Sequence, residues 1–165
     1  MEGAQRIRVL VVDDSAFIRH TLANRVLDAE DIEVLGTARD GQEALELVEQ
    51  LRPDVVTLDV EMPRMNGLEA LRLIMQRQPT PVVMLSSLTQ AGAETTIRAL
   101  ELGAVDFVGK PSGSVSFDIH RVRDELLEKV RFAALVGRRK HALDRLASLA
   151  RRAVAPVMLS TAPKA

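Results

Sequence analysis

The sequence predicts an α/β fold: a doubly wound, five-stranded parallel sheet in the order 2-1-3-4-5 with a C-terminal helical extension. Three observations carry this. Apolar runs of four to six residues alternate with stretches of helical periodicity, the rhythm of βα units around a parallel sheet. Several of those runs are near-continuous Val, Leu and Met, as strands buried on both faces are. Right-handed crossovers and short connections then leave the doubly wound sheet as the simplest arrangement.

The strands are expected at Ile7 to Val12, Ile32 to Ala38, Val55 to Leu58, Val82 to Ser86 and Val105 to Val108, the second being the weakest and an edge candidate. Between the first two, Ile18, Leu22 and Val26 recur at i+4 on one helical face. Asp40-Gly41 opens a second helix in which Leu47 and Leu51 recur at i+4 and Ala44, Leu45 and Val48 fill the same stripe. Asn66-Gly67 precedes a third from Leu68 to Gln76, and a fourth runs from about Ala93 to Leu102 before Gly103. The fifth begins near Asp118 and carries Val122, Leu126 and Val130 on one side. Its periodicity reaches Val136, breaks at Gly137 and resumes in Leu143, Leu146 and Leu149, which predicts a separate helix there. Ala155-Pro156 and Ala162-Pro163 mark a low-order tail. The expected division is thus a domain over 1–130 and a helical linker with a basic tail over 131–165.

Composition narrows the function classes. The 165 residues are 47% hydrophobic, enough for one packed domain with a short appendage. No apolar run approaches the roughly 20 residues of a membrane span, and a cytoplasmic protein is expected. Cysteine is absent, which removes disulfides and thiolate metal sites. Tryptophan and tyrosine are absent too, and four Phe leave little platform for stacking on nucleic-acid bases. The net charge of -1 conceals a split: Gly137 onward is +6, whereas the first 136 residues carry 15 basic and 22 acidic side chains. A solvated linker face is the better reading of that basic stretch than a nucleic-acid interface, because one helix with none to brace it is a poor helix-turn-helix.

Three acids end two of the strands, Asp13 and Asp14 after the first and Asp59 after the third. The strand order places its switch point between those strands, so the acids meet in one small volume. Carboxylates 4 Å apart repel by about 4 kcal/mol at an effective dielectric near 20, so the cluster calls for a cation. Magnesium takes six oxygens and keeps several waters. Asp14 and Asp59 are the natural direct ligands, Asp13 acts through a water, and the loop carbonyl of Glu61 completes the protein's share. Lys110 after the fifth strand and Ser86 ending the fourth add an ammonium and a hydroxyl. Acids, a hard cation and one ammonium make a phosphoryl-handling site in which a free oxygen of Asp59 can attack phosphorus.

Taken singly, each residue has a plainer reading: Asp13 as a helix cap, Lys110 as a solvated lysine, Ser86 or Ser87 as a strand-end hydrogen bonder, Phe107 as core. His20, His120 and His141 lack metal-ligand spacing. Pro111-Ser112-Gly113-Ser114 lacks the glycine pattern of a nucleophile elbow and reads as a turn.

Together the motifs are more specific. Asp13-Asp14, Asp59 with Met62-Pro63 and Asn66-Gly67 behind it, Ser86, and Lys110-Pro111 resemble the receiver domain of two-component response regulators over roughly residues 6 to 130. The string from Asp59 to Leu71, with Ser86-Ser87-Leu88-Thr89 and Ala99 to Phe107, is similar to the regulatory domain of chemotaxis protein-glutamate methylesterases. The resemblance implies a flavodoxin- and CheY-like fold, Asp59 phosphorylated by a chemotaxis histidine kinase, Lys110 on the phosphoryl group, and Ser86 with Phe107 as the switch pair. It also implies a cis Lys110-Pro111 bond, and a methylesterase effector domain in the parent protein acting on chemoreceptors. Two alternatives stay open: the receiver of a DNA-binding regulator, which the basic tail weakly favours, and an aspartate-nucleophile phosphatase, which would carry Asp-x-Asp on its first strand.

Overall fold

In the computed structural model, which describes residues 3–86, 90–110 and 115–160, valine-rich runs become strands because β-branched side chains pack well on a pleated surface. β1 spans Ile7–Val12, β2 Ile32–Ala38, β3 Val55–Asp59, β4 Val82–Ser86 and β5 Asp106–Gly109. They form one sheet in the order β2-β1-β3-β4-β5, with every pair parallel. β3 and β4 are buried at every position and β1 at all but Arg8, whereas β2 and β5 are the two edges. The fifth strand starts one residue later than the apolar run implies.

Side chains alternate across the sheet and divide the core in two. Val9, Val11, Val55, Val83, Leu85 and Val108 pack against one helical layer, and Leu10, Val12, Val56, Leu58, Val82 and Met84 against the other. The first layer holds α1 (Ala16–Thr21), which widens into a π-helical turn over Leu22–Val26, and α5 (Val115–Ser160). The second holds α2 (Gly41–Leu51), α3 (Gly67–Arg77) and α4 (Gln90–Glu101). Polar caps set three starts: Ser15 Oγ accepts from Ile18 N, Asp40 Oδ1 from Glu43 N and Asn66 Oδ1 from Glu69 N. α1 is therefore capped by Ser15, and Asp13 is left for the site.

The expected break at Gly137 does not occur. α5 continues through it as one helix of 46 residues. One glycine costs a helix only about 1 kcal/mol, and its neighbours are strong helix formers such as Ala, Leu, Arg and Lys. Its missing side chain has a packing role, since a Cβ at Gly137 would lie 2.7 Å from Pro81 Cγ. The helix includes Ala155-Pro156 and runs to Ser160. Ala162-Pro163, the Lys110-Pro111 bond and the turn over 111–114 involve residues outside those described, as does Ser87.

Gly137→Ala should lower the melting temperature, although alanine is the better helix former. Overpacking against a rigid proline ring costs about 1–3 kcal/mol, against a propensity gain of about 1 kcal/mol. Thermal unfolding by circular dichroism reads the sign, and an unchanged or higher midpoint would show that the ring yields.

Candidate functional site

Asp13, Asp59 and Lys110 extend β1, β3 and β5 by the two-residue alternation of Val9-Val11, Val55-Thr57 and Val108, on the face covered by α1 and α5. Parallel pairing in register, with Val12 beside Leu58 and Asp59 beside Leu85, brings these strand ends together. Asp13 and Asp59 are fully buried. Lys110 Nζ lies 2.8 Å from Asp59 Oδ1 and 3.2 Å from Asp13 Oδ2. Backbone donors hold the other contacts: Ser15 N–H donates to Asp13 Oδ1 at 2.9 Å and Glu61 N–H to Asp59 Oδ1 at 3.0 Å. Arg19 Nη1 donates to the Asp13 carbonyl at 2.8 Å, tying α1 to the end of β1.

The acids expected to share a cation are brought together. One oxygen from each of Asp13, Asp14 and Asp59 falls in a group no wider than 4.8 Å. Asp14 is the exposed member and faces an open groove of about 480 Å³ that Glu61, Pro63 and Asn66 also line. Asp59 Oδ2 and Asp13 Oδ2 are both buried without a hydrogen-bond partner, the latter with the Lys110 ammonium 3.2 Å away. Two buried oxygens lacking hydrogen bonds, in an all-oxygen donor set, fit a hard divalent cation. Glu61 enters through its backbone N–H on Asp59 and its place in the groove.

Charge follows from burial. Desolvation pushes the Asp59 carboxyl up to about 7, with Lys110 pulling it down and Asp13 adding repulsion. Burial likewise raises Asp13 against the pull of the Ser15 N–H and Lys110. Lys110 shifts upward, because its partners Asp59 and Asp13 outweigh the burial that would lower it. Thr57, two residues before Asp59, keeps a buried hydroxyl without a hydrogen-bond partner.

Ser86 is buried at the end of β4, beside Gly109, and its carbonyl accepts from Lys110 N at 2.8 Å. Phe107 stands on the outer edge of β5, 41% exposed, so the plain-core reading of it does not hold. Lys129 of α5 sits with Nζ 5.2 Å from the ring centroid and donates to the Phe107 carbonyl at 2.6 Å. It also pairs with Glu125 at 2.8 Å and Asp106 at 3.5 Å. Nothing local in the sequence ties Lys129 to Phe107. Gly67 was legible only as a helix start, yet a Cβ there would meet the Asp59 carbonyl oxygen and Val60 Cα, so only glycine lets α3 begin so close to the acid.

Asp59 releases its proton near 3.8 when unfolded and near 7 when folded. Between those values the fold holds a proton that the unfolded chain has lost. Its contribution to stability is therefore full below pH 4 and declines as pH rises to about 7. In chelator, wild-type melting temperature should fall across that window, and Asp59→Asn should flatten much of the decline and exceed wild type at pH 8. Parallel pH profiles for the two proteins would contradict this.

Comparison with known proteins agrees with the geometry. The family model for the response regulator receiver domain matches residues 9–118. The protein-glutamate methylesterase/protein-glutamine glutaminase of Symbiobacterium thermophilum is 65% identical over 128 residues, 78% of this chain and 35% of that protein. Its counterpart in Pyrococcus abyssi is 57% identical over 142 residues, 86% of this chain and 39% of that protein. The chain thus spans little more than a third of the length of either relative. The crystal structure of the response regulator domain of Thermotoga maritima CheB matches with a TM-score of 0.72 and 55% identity, covering 79% of this chain and 97% of that one. Sheet order, acid cluster and sequence kinship together make the chain a member of the response regulator receiver domain family, of the kind carried by chemotaxis methylesterases.

Proposed function

We propose that this receiver is a phospho-accepting switch in which Asp59 takes a phosphoryl group from a chemotaxis histidine kinase and thereby regulates a methylesterase effector domain of the parent protein. The observation that carries the reading is Asp59 itself. It is buried at the end of the central strand, one oxygen held by Lys110 and by Glu61 N–H, the other lacking a hydrogen bond. That second oxygen is the nucleophile. It forms the new O–P bond as the N–P bond of the donor phosphohistidine breaks, and the imidazole nitrogen leaves with the bonding pair.

Asp14 and Asp59 are assigned as direct ligands of Mg²⁺, Asp13 as a ligand through water and Glu61 as the carbonyl donor. When bound, the ion neutralises the carboxylates and the phosphoryl oxygens. Lys110 releases its hold on Asp59 and contacts the phosphoryl group. Ser86 supplies a hydroxyl to the same group, and its inward movement vacates space that the Phe107 ring takes. Lys129 then loses the ring but keeps the Phe107 carbonyl, so the β5–α5 edge changes its surface without parting. Residues 1–130 are read as the receiver and 131–165 as a helical linker with a basic tail. The methylesterase relatives favour this effector over a DNA-binding one. Among the described residues, no helix is long and apolar enough to cross a membrane.

With Mg²⁺ and acetyl phosphate, one phosphoryl group should enter at Asp59, and Asp59→Asn should abolish incorporation as read by intact-protein mass spectrometry. Equal labelling of the variant would refute the assignment. In Mg²⁺ titrations, Asp14→Ala should weaken binding more than Asp13→Ala; the reverse order would exchange their roles. Ser86→Ala should keep Asp59 reactive yet lose the beryllofluoride-induced NMR shifts around Phe107 and Lys129. Identical shifts in wild type and variant would remove Ser86 from the relay.

A further inference from the structure

α5 is docked on the receiver by Leu126, Val130, Ala133 and Ala134, all buried, and its last tight contact is Gly137 against Pro81. Beyond that point Lys140, His141 and Asp144 stay on the receiver side, where with Pro79 and Pro81 they line a cleft of about 460 Å³. The opposite side of the same helix is apolar. Phe132, Leu135, Leu143, Leu146 and Leu149 are each between 54% and 63% exposed, while Val136, 38% exposed, lies on the flank and also lines the cleft. A helix advances about 100° per residue, which puts Leu135, Leu146 and Ala153 about 160–180° from Gly137. The receiver that holds one side of the helix cannot cover the other.

We infer that this outward stripe pairs with the same stripe of a second copy of the chain, as a short parallel two-stranded coiled coil over about residues 132–153. Phe132, Leu135, Ala142, Leu146, Leu149 and Ala153 recur at alternating spacings of three and four, broken only where Arg139 takes a core position. Because each receiver lies behind its own helix, two copies bring their stripes together with both receivers on the outside. Orientation follows from a second pattern. Arg131, Arg138, Arg145 and Arg152 recur at every seventh position along one flank, and Val136, Leu143 and Ala150 line the other.

An antiparallel pair would set arginine row against arginine row. A parallel pair sets each row along the partner's Val136, Leu143 and Ala150, where the aliphatic stems lie on apolar surface and the guanidinium groups reach water. Arg131 is already held by Asp31, its Nε and Nη2 donating at 2.7 and 2.9 Å, which fixes the start of the row against the receiver. The seam is about 33 Å long and about 10 Å wide, smaller than the about 800 Å² per partner of a standard stable interface. Association is therefore weak, rises with concentration, and strengthens with salt as like charges are screened. Pro81 precedes β4 whereas Asp59 ends β3, so the arm leaves from the end of the sheet away from the acids and pairing keeps both sites open.

Sedimentation equilibrium of the full chain at low and high salt tests this. Monomer and dimer should interconvert, with the dimer favoured at high salt. Leu146→Lys should return the chain to monomer, and Arg139→Leu should tighten the dimer by about tenfold. The chain has no cysteine, so register is read by introducing one: Leu146→Cys should cross-link between copies under mild oxidation, and Lys140→Cys on the opposite face should not. The proposal is overturned if Arg139→Leu remains monomeric at the highest soluble concentration, or if both cysteine variants cross-link alike. It is equally overturned if the chain stays monomeric and the leucines bind vesicles of phosphatidylserine instead, which would assign the stripe to a lipid surface.

Discussion

Two buried carboxylates share one ammonium, and the rest of the molecule is arranged around that imbalance. Asp13 and Asp59 have lost water altogether, and Lys110 stands at 3.2 Å and 2.8 Å from them. A buried charge left without compensation costs several kcal/mol, so the fold tolerates the cluster only by fixing every donor it can offer. The N–H groups of Ser15 and Glu61 and the cap that starts α1 serve that end. What they leave over is two buried carboxylate oxygens without hydrogen bonds, in an acid cluster that could hold a cation.

The sheet turns that local imbalance into a property of the whole domain. Because the three groups continue one face of β1, β3 and β5, they rest on the apolar layer that packs α5. Lys110 is tied by its own N–H to the Ser86 carbonyl, which joins the residue that carries the ammonium to the β4–β5 pair. That pair borders Phe107 and Lys129, where the outer surface is held by a ring contact and a few ionic contacts and little buried area. Such edges rearrange at low cost.

Much of this was legible in the sequence, for a definable reason. Strands buried on both faces announce themselves as unbroken valine and leucine, and the acids at their ends need only the topology to meet. The order of the sheet, both acid positions, Lys110 and Ser86 all follow from such local signals. What escaped depends on contacts between distant positions. Gly137 looks like a helix breaker until Pro81, far away in sequence, is seen to occupy the space of its side chain. Lys129 is an ordinary i+4 partner of Glu125 until Phe107 is found beneath it. Gly67 carries no mark of the carbonyl that excludes every larger residue.

That last contact makes the domain mechanically lopsided. α3 starts against the backbone of Asp59 and Val60 with no clearance, and Gly67 N–H donates to the Val60 carbonyl at 2.9 Å. A joint without play transmits force and absorbs none. The α3 flank is therefore the closely fitted side of Asp59 and the β4–β5 edge the loosely held one, an asymmetry that rests on a single missing methyl group.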